Sequence, residues 1–100
     1  RNNKCNDVLT FDYAKKDDLW LHVKDAPGSH VIIKKQGILP IPKTVIERAA
    51  ALAAYFSKRK TENMAPVIYT ERKYVRKIKG SLPGQVAVMK EKVLLVQPKL

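Results

Sequence analysis

One hundred residues, 45% of them hydrophobic, suit a single folding unit that buries roughly 60–65% of its unfolded surface, which leaves little room for a deep enclosed active site. Twenty Lys and Arg against nine Asp and Glu leave a formal charge of +11, which selects polyanions as partners. No apolar run approaches the ~18–20 residues of a membrane span, and the opening RNNKCNDV lacks the apolar core of a signal peptide.

Cys5 is the only cysteine, which excludes an internal disulfide and a cysteine zinc site and fits a reducing cytoplasm. The chain starts with Arg1, as an excised piece of a longer protein would. The charge is uneven: residues 1–40 carry +2, residues 41–64 carry +3 and residues 65–100 carry +6. Nucleic acid is the polyanion this clustering favours, with phosphate held by the last third.

Asn6-Asp7 ahead of Val8, Leu9, Tyr13 and Ala14 reads as the cap of a short helix, against a competing strand VLTF. The runs LWLHVK and HVIIK flank Ala-Pro-Gly-Ser, where Pro27 presets φ and Gly28 accepts a positive φ, as a type II turn requires; this predicts a hairpin. GILPIP breaks regular structure before one long helix, about 43–60. Its predicted apolar face is Val45, Ala49, Leu52, Ala53 and Phe56, with Ile46 and Ala50 alongside. Thr44 and Glu47 have capping-box spacing, and Pro42 suits the first turn. The cations of Ser57-Lys58-Arg59-Lys60 complement the helix dipole. Short strands follow in PVIYT, YVRKI, QVAVM and KVLLV, the last two joined by Lys90-Glu91-Lys92. The expected fold is α+β, a mostly antiparallel sheet with the long helix packed on one face.

Both histidines fall in DDLWLHVKDAPGSHVII. Strand alternation puts Leu19, Leu21 and Val23 on a core face and Trp20, His22 and Lys24 on the other. The second set suits base stacking and phosphate contact; Trp20 capping the core is the competing reading. Across a two-residue turn Asp25 sits opposite His30 and orients its imidazole or raises its pKa. Ser29 and the turn amides add donors for a phosphate or a ribose 2′-hydroxyl. In this register the two histidines emerge on different faces. A general acid and base therefore do not meet, and no metal-ligand pair has helical spacing. Arg72, Lys73, Arg76, Lys77 and Lys79 in RKYVRKIKG leave neither strand face cleanly buried. An exposed edge ribbon holding phosphate is expected, beside a Gly-Ser-Leu-Pro-Gly loop.

RNNKCND with a following Leu, DDLWLHVKDAPGSHVII, AAALAAYFSK, VIYTERKYVRKIKG and PGQVAV, in that order, resemble the RNA-binding module of the NFACT family essentially end to end. Members are multidomain ribosome quality-control factors that bind the large ribosomal subunit and tRNA and extend stalled nascent chains; bacterial members often carry a fibronectin-binding label. In the family a β-hairpin ending in Gly usually precedes RNN, and that strand pair is missing here. The resemblance implies one RNA-binding domain over 1–100, its partners tRNA, the 50S-type large subunit and other domains of a parent chain, with no membrane and no cofactor. The expected RNA contacts are Arg1, Lys4, Trp20, His22, Lys24, Ser29, His30, Arg72, Lys73, Arg76, Lys77 and Lys79. Asp18, Asp25, Pro27 and Gly28 are expected to be structural, with no catalytic or metal residues. An adhesin or protein-interaction module is the rival, disfavoured because Lys heavily outnumbers Arg whereas protein interfaces favour Tyr, Trp and Arg. A metal-independent ribonuclease ranks third.

Overall fold

A computed structural model describes residues 3–80, 82 and 85–100. Arg1 and most of the Ser81–Gly84 loop lie outside the described residues, as does the side chain of Lys4. The elements run α1 (Asn3–Asp7), a π-helical segment (Val8–Tyr13), β1 (Leu19–Val23), β2 (Val31–Ile33), α2 (Lys43–Tyr55), β3 (Ala65–Glu71), a 3-10 turn (Arg72–Tyr74), β4 (Val75–Lys77), β5 (Val86–Val88) and β6 (Lys92–Val96). Four antiparallel strands form one sheet in the order β2-β1-β3-β6, and β4 pairs with β5 in a separate two-stranded ribbon. The α+β class with a helix on one face is as expected.

The α2 face of the sheet follows the sequence pattern. Leu21, Val23, Val67 and Val96 pack with Ala49, Ala50, Ala53 and Ala54, and Leu19, Val31, Ile33 and Ile46 close the margins. Alanines carry no side chain beyond Cβ, so the helix lies close on the sheet. Burying a Leu or Val here is worth roughly 1.5–3 kcal/mol. The buried stripe is rotated from the predicted one: Ala54 joins it, while Val45 is exposed.

Three local expectations fail for tertiary reasons. First, α2 ends at Tyr55, short of Lys60. Residues 56–58 turn their backbone to the hairpin instead, with Ser29 N–H donating to the Phe56 carbonyl (3.2 Å) and Lys58 N–H to the Pro27 carbonyl (2.9 Å). Its N-cap is Pro42, whose carbonyl receives the amides of Val45 and Ile46; Thr44 lies inside the helix and caps nothing. Second, the positive φ of the hairpin falls on Asp25 (56°) and not on Gly28, so no type II turn forms at Pro27-Gly28. Gly28 is required for proximity: a Cβ there would stand 2.8 Å from Ser57 Cβ. Third, β5 and β6 do not pair with each other. The chain passes from ribbon to main sheet near Lys90, a left-handed residue at φ 55°.

At the other end of the chain, α1 begins before Asn6, which caps no helix. Its side-chain amide donates to the Gly28 carbonyl (3.2 Å), and its amide oxygen accepts from His30 N–H (3.1 Å). This tethers the N-terminal segment over the sheet face opposite α2.

Candidate nucleic-acid interface

The β1–β2 ladder pairs Leu21 with Val31 and Trp20 with Ile32; continued by one residue, it sets His22 across from His30 on a single face. The sequence-based register, with the histidines on different faces, is thereby corrected. Trp20 stacks on His22 at 5.8 Å between centroids, and His30 meets both rings edge-on at 5.1 and 5.2 Å. Trp20 is 1% and His30 5% exposed, so the indole caps a second, smaller core and offers no face to a base. Its Nε1–H is buried with no hydrogen-bond partner among the described residues.

This core is closed by polar contacts. The Thr10 hydroxyl and His30 Nδ1 are 2.7 Å apart. His22 Nε2 donates to the Gly28 carbonyl at 3.3 Å. Burial pulls the His22 pKa below its ordinary value, against smaller upward contributions from its bonds to the Gly28 and Val23 carbonyls, so the ring is neutral at pH 7. Asp25 is exposed, and His30 takes Thr10 as its ring partner, so the proposed Asp25–His30 pair does not form. The turn is too tight for it, since the ladder that sets His22 opposite His30 puts Asp25 beside Pro27.

Asp18 is buried and committed to its own fold. It accepts the amides of Lys15 (2.8 Å) and Lys35 (2.9 Å) and pairs with Lys34 Nζ at 2.7 Å. Burial raises its pKa, but Lys34 and the two amides together outweigh that and hold the carboxyl below its usual value. Arg72 also turns inward: Nε donates to the Thr10 carbonyl, Nη1 to the Val75 carbonyl at 3.1 Å, and the guanidinium covers Phe11 at 4.6 Å. Burial lowers its pKa. Arg72 ties the ribbon to the N-terminal segment and is not presented to a phosphate.

The remaining cations are outward. On the ribbon, Arg76, Lys77 and Lys79 are exposed, with Lys77 held 2.8 Å from Asp7. Lys73 sits 3.8 Å from Asp17 and 3.7 Å from Glu71. At the hairpin end, Lys24 is exposed and Ser29 half-buried, and the structure adds neighbours that sequence reasoning had assigned to a helix terminus. Arg59 Nε donates to the Lys24 carbonyl (2.8 Å), Lys60 Nζ lies 4.3 Å over Tyr55, and Lys58 is exposed beside Pro27. The signal for them was the Gly28 position, legible only once the turn was known to press on Ser57. Two exposed cationic regions therefore flank one domain, joined beneath by the chain Gly28, His22, His30, Thr10 and Arg72.

Among the described residues, no helix is long and apolar enough to cross a membrane, and no group of three or more His, Cys, Asp or Glu could hold a metal.

The family description "NFACT protein RNA binding domain" matches residues 1–90. Over 98 residues, 98% of this chain, the sequence is 44% identical to "Rqc2 homolog RqcH" of Bacillus subtilis (strain 168) and 46% identical to that of Streptococcus suis (strain 05ZYH33). The chain spans only 17% of the length of either relative. The solved structure of the C-terminal part of the fibronectin/fibrinogen-binding protein from Streptococcus suis superposes with a TM-score of 0.91 at 46% identity, covering 98% of this chain and 39% of that one. Match, fold and charge agree, and the chain belongs to the NFACT RNA-binding domain family.

Proposed function

We propose that this domain binds tRNA, large-subunit ribosomal RNA or both, as one module of a larger cytoplasmic ribosome quality-control factor acting on stalled nascent chains. The observation that carries this reading is the density of exposed cations, Lys24, Lys58, Lys60, Arg76, Lys77 and Lys79, on a domain of whose aromatic side chains only Tyr13 is exposed. Such a surface holds phosphates through charge and tolerates sequence, because phosphate contacts position without specifying. The domain acts by binding and not by catalysis: His30 is buried, and His22 is committed to Gly28. Relatives about six times longer support a role as one module among several.

Fluorescence anisotropy with tRNA, a ribosomal RNA hairpin and duplex DNA at one fixed salt concentration tests the reading. Both RNAs are expected to bind more tightly than DNA. Preference for duplex DNA, or binding to immobilised fibronectin with none to RNA, would overturn it. Labelled tRNA incubated with and without EDTA is expected to stay intact; cleavage abolished by His22→Ala would establish an enzyme.

A further inference from the structure

Two pockets meet at the hairpin turn. One, about 440 Å³, is lined by Gly28, Ser29, Tyr55, Ser57 and Lys58. The other, about 450 Å³, is lined by Cys5, Leu9, Val31, Leu52 and Phe56 and is mostly apolar. Ser29 and Phe56 border both, so the two compartments share a wall. Their chemistry differs. The first carries hydroxyls and one cation, Lys58, with Lys60 beside it over the Tyr55 ring. The second is a hydrophobic slot between the N-terminal segment, β2 and α2. Each has the scale of a small-ligand site.

We propose that the pair takes one nucleotide of RNA, its base in the apolar slot and its phosphate at Lys58 and Lys60. This rests on the RNA-binding reading and adds a site to it. Charge complementarity selects the occupant: an apolar slot alone would suit many groups, but one that shares a wall with a pocket rimmed by Lys58, with Lys60 beside it over Tyr55, suits an apolar ring carrying an anion. Asn6 commits both ends of its amide to Gly28 and His30, and His30 commits Nδ1 to Thr10. The slot therefore reads a base by shape and stacking, and purines and pyrimidines enter alike.

Cys5 makes the test direct, because it is the chain's only thiol, is exposed and lines the slot. Its alkylation by iodoacetamide is followed with short oligoadenylate, oligouridylate, an abasic oligonucleotide of equal length, or polyphosphate, while anisotropy reports binding in parallel. At RNA concentrations about ten times Kd, alkylation is expected to slow about tenfold with either base. The abasic strand and polyphosphate should bind through charge and leave the rate near that of the free protein. Lys58→Ala is expected to flatten the salt dependence of binding by about 0.7, the contribution of one phosphate of a single strand. RNA that binds while Cys5 reacts at its free rate overturns the slot and leaves the RNA reading standing. Equal protection by polyphosphate also overturns it, and no RNA binding at any salt overturns both.

Discussion

The two faces of the main sheet are built from different materials. Against α2 the core is aliphatic and alanine-rich, with Leu21, Val23, Val67 and Val96 meeting Ala50, Ala53 and Ala54. Against the N-terminal segment it is aromatic and polar, with Trp20, His22, His30, Thr10 and Asn6 joined by ring contacts and hydrogen bonds. An aliphatic face tolerates sliding and volume-conserving exchange. A hydrogen-bonded face accepts one arrangement, because each displaced donor is left buried and unpaired. The second face fixes where the hairpin turn and the ribbon sit, so the residues most suggestive of ligand chemistry serve to position the surfaces that carry the cations.

The hardest test of that contrast compares Trp20→Ala with Leu21→Ala, neighbours on opposite faces. Trp20→Ala is expected to cost about 3–5 kcal/mol and Leu21→Ala about 2–5 kcal/mol, read from denaturant midpoints. A Trp20→Ala protein of unchanged stability that bound RNA more weakly would make the indole a stacking surface and dissolve the second core. Arg72→Ala comes next. It removes two bonds to carbonyls and uncovers Phe11, at an expected cost of about 1.5–3 kcal/mol. It should leave the salt slope of RNA binding unchanged once folding is restored by lower temperature.

The α2 face was legible from periodicity because burial there is a property of one helix and the strands beneath it. Ile46, Ala49, Ala50 and Ala53 recur at helical spacing, and Leu19, Leu21 and Val23 alternate. The second face was not, because its cover comes from elsewhere in the chain. Nothing near His30 in sequence announces that Thr10 will meet its ring, or that Arg72 will hold the Thr10 carbonyl. The same limit shifted the end of α2: Ser57-Lys58-Arg59-Lys60 has adequate helix propensity, and two backbone bonds to the hairpin override it. Exposed Lys77 and Lys79 were legible, since a strand with cations on both faces has nowhere to bury them.

The pH dependence of stability sharpens the comparison further. The native state holds His22 neutral, with its pKa below the ordinary value of 6.5, whereas an unfolded chain takes up a proton there once the pH drops below that value. The unfolded state then binds more protons, so stability falls as pH falls from about 6.5 toward the depressed native pKa. His22→Gln, which cannot titrate, is expected to flatten the denaturation midpoint across that window. Asp18 acts in the same direction lower down, its contribution being lost as pH falls below 3.8 through its own depressed value. A wild-type midpoint flat from pH 7 to 5 would mean that the His22 ring is open to water and that the second face is not sealed.

The smallest effect on stability and the cleanest on binding should come from the ribbon. Arg76 and Lys79 are exposed and make no ion pair among the described residues, unlike Lys77, which is bound to Asp7, and Arg72, which is turned inward. Replacing both by Ala removes no buried contact, and stability is expected to stay within about 0.5 kcal/mol. If each holds one phosphate of single-stranded or looped RNA, the slope of log K against log salt should flatten by about 1.4, two contributions of about 0.7. Relative preference among RNAs should be unchanged, since a lost phosphate contact weakens all sequences alike. The measurement is anisotropy at four salt concentrations on the double variant, with circular dichroism to verify folding. A slope equal to wild type would leave these cations as a solvated strand edge that resists aggregation, and would move the phosphate contacts to Lys24, Lys58 and Lys60 at the hairpin end.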